Sequence, residues 1–396
     1  MMRIVADENI PMVNEYFGQY GEITRLAGRS ISPEDVMSAD ILLVRSVTEV
    51  NERLLRGASV KFVGSATIGE DHIDTSYLKG QGVAYSNAPG ANATSVVEYV
   101  FAAIIEWCCL KGRVLDSLSI GIIGVGSIGK ELARVSKALG LDVFCYDPPQ
   151  NIGASGQVPS AVMRADIISI HTPLTTEGSD PTYHLVDDEF LNALSSKQLL
   201  INSSRGAVVN NDQLTHFLSE RSETVDVVLD VWEGEPSVNL TLVDQVLLAT
   251  PHIAGYSFDG KVQATAMLAQ SYAQLFAKPY IGPSSSNVGN DREAFGIPAH
   301  LSLLHGLSQA VRYAFDIRID DRKMRRLKSL SCSGSSFDSY RKNYPKRREF
   351  SCFQFNYSPD QEQLAQQLKV MGFHIAQVCA EPDSNSIFNS PSATNI

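Results

Sequence analysis

Short apolar runs alternate with longer amphipathic stretches along most of this chain. "RIVAD" (3–7), "ILLVRS" (41–46), "KFVGSA" (61–66) and "VAYSNA" (83–88) are brief and rich in β-branched or aromatic residues. That pattern predicts buried strands. From Thr94 to Leu110 the spacing becomes helical, with Val96, Val97, Val100, Phe101, Ile104 and Ile105 on one broad apolar face. A second unit opens at "LSIGIIGVGSIGKELARVSKALGLDVFCYD" (118–147), which reads as strand, glycine-rich turn, helix, strand. "ADIISIHTP" (165–173), "QLLINSS" (198–204), "VDVVLDVW" (225–232) and "VLLATPHI" (246–253) extend the series, with helical segments between them. Strands alternating with helices imply a parallel sheet covered on both faces, so 95–255 reads as one doubly wound α/β domain.

An alanine-rich helical stretch (260–278) then leads back toward the first unit. "PYIGPSSSNVGND" (279–291) has the composition of a linker. Residues 286–380 form a third piece with its own strand in "FSCFQFNY" (350–357), and the polar tail 381–396 is expected to fray. There is no internal repeat.

A chain of 396 residues has room for two or three domains. Its 44% hydrophobic and 19% charged residues suit a globular protein. The longest apolar stretch, Val96 to Leu110, is broken by Glu98 and Glu106 and reads as a core helix rather than a membrane span. "MMRIVADENI" lacks the pattern of a signal peptide. The six cysteines show no C-x-x-C spacing, which argues against a zinc site or a disulfide framework and suits a reducing cytoplasm. No metal is expected. A net charge of −11 disfavours nucleic acid as a partner. The charge is uneven, because 312–348 carry twelve Arg or Lys against four Asp. Such a run is a solvated surface, a subunit contact or an anion site.

The glycine-rich turn narrows the chemistry. Gly124-x-Gly126-x-x-Gly129 follows a strand and opens a helix, with Ser127 and Ile128 as its first residues. The first glycine permits a tight turn, the second a close approach to a pyrophosphate, the third close packing of helix on sheet. The helix start offers free N–H groups to the phosphates. Asp147 ends the next strand 18 residues after Gly129, where an acid would hydrogen-bond a ribose and repel a 2′-phosphate. The expected cofactor is NAD rather than NADP.

Three later stretches fall at strand ends, where ligands bind in open α/β sheets. "INSSRGAVVN" places Arg205, able to grip a carboxylate through two parallel hydrogen bonds. "DVWEGEP" places Asp230 at a strand end and Glu235 in the turn beyond. "ATPHIAGYS" places His252. Singly these read as a surface arginine, a loop acid and a core histidine. Together they supply a proton acceptor, a carboxylate to orient it and a cation to hold a substrate acid, as oxidation of an alcohol requires.

The set G-x-G-x-x-G with a later Asp, S-S-R-G, D-V-W-x-x-E-P and P-H-I-A-G-Y-S resembles the D-isomer-specific 2-hydroxyacid dehydrogenases. The resemblance implies a Rossmann-type NAD domain (95–255) inserted in a flavodoxin-like substrate domain (1–94 and 256–285). It implies Arg205, Glu235 and His252 as catalytic residues, with His252 exchanging the proton. Ser46, Thr67 and Tyr256 would hold the substrate, and Thr172, Asp230 and Gly255 would line the nicotinamide end of the cofactor. "RIVADENIP", "VRSVTEVNERLL", the run from "FVGSATIGEDHID" to "NAPGANATSVVEYV", and "FDSYRKNYPKRREF" resemble a member that acts on a phosphorylated sugar acid. That member pairs as a homodimer through a C-terminal α+β domain (286–380). The substrate phosphate would meet Arg45 or the basic run, at Arg347 or Arg348. The chain departs from the family in Ser204 before Arg205, in serine-rich 281–291 and 328–336, and in its tail. The alternatives are a dehydrogenase of the phosphoglycerate or glycerate type, or an NAD-sensing corepressor-like binding protein.

Overall fold

The computed structural model describes residues 1–221, 225–283, 292–327 and 333–378. The tail 381–396, most of the linker (284–291) and the serine-rich 328–332 lie outside the described residues.

Five strands build the first sheet: β1 (Met2–Asp7), β2 (Gly21–Leu26), β3 (Ile41–Val44), β4 (Phe62–Ser65) and β5 (Ala84–Ser86). They run parallel in the order β2-β1-β3-β4-β5, the flavodoxin order. β2 is absent from the expected strands. It is an edge strand whose side chains are largely open to solvent, so no apolar run marks it.

The second sheet holds β6 (Ser119–Ile123), β7 (Asp142–Tyr146), β8 (Ile167–Ile170), β9 (Leu199–Asn202), β10 (Asp226–Leu229) and β11 (Leu248–Ala249). Its order is β11-β10-β9-β8-β6-β7, again parallel. Successive residues point to opposite layers. Ile167, Leu199, Ile201 and Val228 join one core, and Ile168, Leu200, Val227 and Leu229 the other. Both faces are therefore covered, and the strands read as unbroken apolar runs. The chain reverses direction across the sheet at β6, which opens a crevice between the carboxyl ends of β6 and β8.

Helix Phe258–Leu275 crosses back and packs Val262, Ala266, Leu268 and Tyr272 against Ile4 and Phe62 of the first sheet. The C-terminal piece carries a third sheet of β12 (Glu293–Phe295), β13 (Phe353–Tyr357) and β14 (His374–Gln377), all parallel, with helices between them. It shares a core with helix Ala93–Lys111, where Phe315, Phe350 and Phe355 join Tyr99, Phe101 and Trp107. That helix is long and apolar enough to cross a membrane, but 78% of its most apolar window is buried. The two glutamates that break its apolar pattern are attachment points. Glu106 takes both nitrogens of Arg312 at 2.5 and 2.6 Å, and Glu98 accepts from the Phe350 N–H at 2.6 Å.

Candidate active site between the two large sheets

Gly124 has φ +91°, and a Cβ there would lie 2.6 Å from the His171 carbonyl oxygen. A Cβ on Gly129 would lie 2.0 Å from the Gly124 oxygen, so the helix Ser127–Ala138 rests on the turn only because that carbon is missing. Gly126 faces open space, leaving its backbone approachable. Ser127 sits exposed at the helix start beside Gly90 of the first domain, and Ile128 packs on the core. Asp147 Oδ2 accepts from the Val125 N–H at 2.7 Å and from Gln150 at 2.8 Å, tying the end of β7 to the turn. Across the crevice, the hydroxyls of Thr172 and Ser203 are buried without a hydrogen-bond partner among the described residues. Unsatisfied polar atoms beside an open, donor-rich turn suit a dinucleotide.

His252 stands just beyond β11, and its Nδ1 lies 2.8 Å from Glu235 Oε2. Glu235 Oε1 accepts from the Trp232 N–H at 2.8 Å. Burial alone would raise the Glu235 carboxyl. His252, the Trp232 N–H and Arg341 outweigh it and hold it below the ordinary carboxylate range. With Nδ1 donating to the carboxylate, Nε2 is left free to accept a proton. The His252 backbone is left-handed at φ +57°, a conformation uncommon outside glycine.

Asp230 holds that turn. Its Oδ1 accepts from Thr250 Oγ1 at 2.6 Å and the Ile253 N–H at 2.8 Å, its Oδ2 from the Ala254 N–H at 2.9 Å. Its own carbonyl accepts the His252 N–H at 2.7 Å. Asp230 therefore fixes the turn that carries His252. The side chain is 1% exposed and both oxygens are used inside the loop. A Cβ on Gly255 would strike Asn92 at 2.1 Å, so this glycine lets the start of helix Ala93–Lys111 close on the turn.

Arg205 follows β9 on a loop packed against the 232–233 backbone, where a Cβ on Gly206 would meet the Trp232 oxygen at 2.0 Å. Its Nε and Nη2 lie 3.3 and 3.2 Å from Asp71 Oδ2, an ion pair that spans the cleft to the first domain. Ser46 is exposed and lines the same side of the cleft as Asp71 and His72. The Thr67 hydroxyl donates to the Gly69 carbonyl at 2.9 Å and shapes this loop.

Arg45 and Tyr256 line a neighbouring cleft. Arg347, the other expected phosphate ligand, also borders this cleft. Its guanidinium is buried, donates to the Ala254 and Ser95 carbonyls at 3.1 and 2.8 Å, and lies 3.8 Å over the Phe315 ring. It clasps the C-terminal piece to the histidine loop. Arg348 is engaged by Asp259 at 2.9 Å. Sequence reasoning missed Asp71, Lys261 and Arg341. Only the excess charge of 312–348 pointed to the last of them.

Residues 105–254 match the model of the D-isomer specific 2-hydroxyacid dehydrogenase NAD binding domain, and 298–372 match a domain of unknown function, DUF3410. Erythronate-4-phosphate dehydrogenase of Cellvibrio japonicus is 46% identical over 94% of this chain and 99% of its own. That of Salinibacter ruber is 42% identical over 88% and 92%. Among solved structures, D-lactate dehydrogenase of Aquifex aeolicus, complexed with NAD and lactic acid, superposes with a TM-score of 0.56 at 25% identity. The match covers 69% of this chain and 96% of that one. The 3-phosphoglycerate dehydrogenase of Entamoeba histolytica shares the fold at 0.59 and 24%, over 70% and 95%. Matched along nearly its whole length, and carrying the family's NAD-binding domain, the chain belongs to the erythronate-4-phosphate dehydrogenases among the D-isomer-specific 2-hydroxyacid dehydrogenases.

Proposed function

We propose that the chain oxidises 4-phospho-D-erythronate to (R)-3-hydroxy-2-oxo-4-phosphobutanoate, with NAD as oxidant, on the route to pyridoxal 5′-phosphate. The observation that carries this reading is the His252–Glu235 pair at 2.8 Å, set on a loop beside Arg205 at the mouth of an NAD-type crevice. Bound NAD supplies the acceptor for the hydride leaving substrate C2. His252 Nε2 takes the C2 hydroxyl proton, and Glu235 keeps the imidazole in the accepting tautomer and balances its charge. Arg205 holds the C1 carboxylate, which fixes the carbon facing the nicotinamide. Thr172, Asp230 and Gly255 line that end of the cofactor, Asp147 the ribose end. Ser46, Thr67 and Tyr256 close on the substrate from the first domain.

Asp71 occupies Arg205 before substrate arrives. Its side chain is 67% exposed, so the pair is weak and easily exchanged for a substrate carboxylate. Asp71→Ala is expected to lower KM by about twofold to fivefold, the worth of an exposed ion pair. A raised KM would mean that Asp71 orients Arg205 rather than competing for it.

The residues 286–380 are proposed as the surface that pairs two copies, on the family resemblance. Light scattering on the purified chain reads this directly. Work in a reducing cytoplasm is proposed from the cysteine spacing; among the described residues Cys108, Cys109, Cys145 and Cys352 are free thiols. The reaction is tested by mass spectrometry of the 2-oxo acid formed from 4-phospho-D-erythronate, 3-phosphoglycerate or D-glycerate. Each substrate is incubated with NAD, with and without a 2-oxo acid to reoxidise NADH. Product from phosphoerythronate alone supports the assignment, and product only from another acid refutes it.

A further inference from the structure

A cleft of about 280 Å³ joins three parts of the chain. Arg45 enters from the end of β3, Tyr256 and Lys261 from the start of the crossing helix, and Arg341 and Lys346 from the C-terminal piece. Lys261 Nζ lies 4.3 Å from the centre of the Tyr256 ring, and the Arg341 guanidinium carbon 5.4 Å from the same ring, so both cations lie against it. Two other cations of the cleft are paired, Arg45 with Asp7 at 3.1 Å and Lys342 with Glu8 at 4.0 Å. Among the described residues no carboxylate pairs with Lys261 or Arg341, and Arg341 Nε is buried with no acceptor. Burial, then Arg45 and Arg341, push the Lys261 ammonium down to about 8. Holding Lys261 and Arg341 together in a half-closed cleft without a paired carboxylate is costly, and a bound anion offsets that cost. The cleft adjoins the reacting centre, because Arg341 also acts on Glu235 and Tyr256 follows the histidine loop.

We propose that Lys261 and Arg341, with Arg45, hold the substrate's terminal phosphoryl group, so that the C-terminal piece completes the active site of its own chain. This rests on the function proposed above and deepens it. It gives the segment matched to a domain of unknown function a role in selecting phosphorylated over unphosphorylated 2-hydroxy acids.

The test uses the full chain loaded with NAD. Inorganic phosphate is titrated calorimetrically into wild type, Lys261→Met, Arg341→Met and Lys261→Arg. Each Met variant is expected to weaken phosphate binding at least about tenfold, the loss of a hydrogen bond to a charged group, and Lys261→Arg to retain most of it. The ratio of kcat/KM for 4-phospho-D-erythronate over D-erythronate is expected to fall by a similar factor. Unchanged phosphate binding in both Met variants would overturn the proposal, as would equal losses on the two substrates. Phosphate binding that depends on Lys261, in a protein that does not oxidise phosphoerythronate, would uphold the anion subsite and remove only the assigned substrate.

Discussion

Replacing His252 with asparagine lowers kcat for 4-phospho-D-erythronate by about 10²- to 10⁴-fold, the range contributed by a positioned general base. Asparagine is the informative replacement. It tolerates the left-handed backbone that His252 adopts at φ +57°, so the loop keeps its path while the proton acceptor disappears. The affinity for NAD is expected to stay within about twofold, because the phosphate turn and Asp147 lie at the other end of the crevice. Stopped-flow NADH formation and NAD titration of the same variant separate the two effects. Full activity in this variant would remove His252 from the proton transfer. A proportional loss of NAD affinity would make it a cofactor residue.

The second large effect falls on a residue buried beneath the catalytic turn. Asp230→Ala is expected to cost roughly 2–6 kcal/mol of stability, from about 1–3 for each of two buried N–H groups left without an acceptor. Those groups are the Ile253 and Ala254 amides, the two that directly follow His252. The strained His252 backbone then loses the acceptors that hold the turn around it, and kcat falls along with the denaturant midpoint. Asp230→Asn keeps one acceptor oxygen but turns an amide toward the loop, and is expected to fall between the two. A variant that unfolds like wild type yet binds NAD poorly would leave Asp230 the cofactor role alone and remove it as the support of the turn. The distinction is measured by urea unfolding beside NAD titration.

The two cases mark what the sequence could and could not convey. Gly124, Gly126 and Gly129 were legible because each answers a local demand of the backbone, and the structure meets each in turn. The buried strands of the second sheet were legible because both their faces are covered, which leaves an unbroken apolar run. β2 was not, since an exposed edge strand carries no such run. Nor was β12, a three-residue strand with one buried side chain. Asp230 and Arg347 were visible as charged residues in suggestive places. What they do depends on which backbone groups come to face them across distant parts of the chain. The same holds for Asp71, Lys261 and Arg341, which matter through neighbours from other domains.

In the proposed reaction a hydride leaves C2 of 4-phospho-D-erythronate for NAD in this crevice while His252 takes the hydroxyl proton. A single turnover with substrate deuterated at C2, followed by mass spectrometry of both the cofactor and the acid, reads this step. Deuterium is expected in the reduced cofactor and an unlabelled 2-oxo acid, in wild type and not in His252→Asn. Unlabelled NADH, or no reduced cofactor from phosphoerythronate at all, would contradict it.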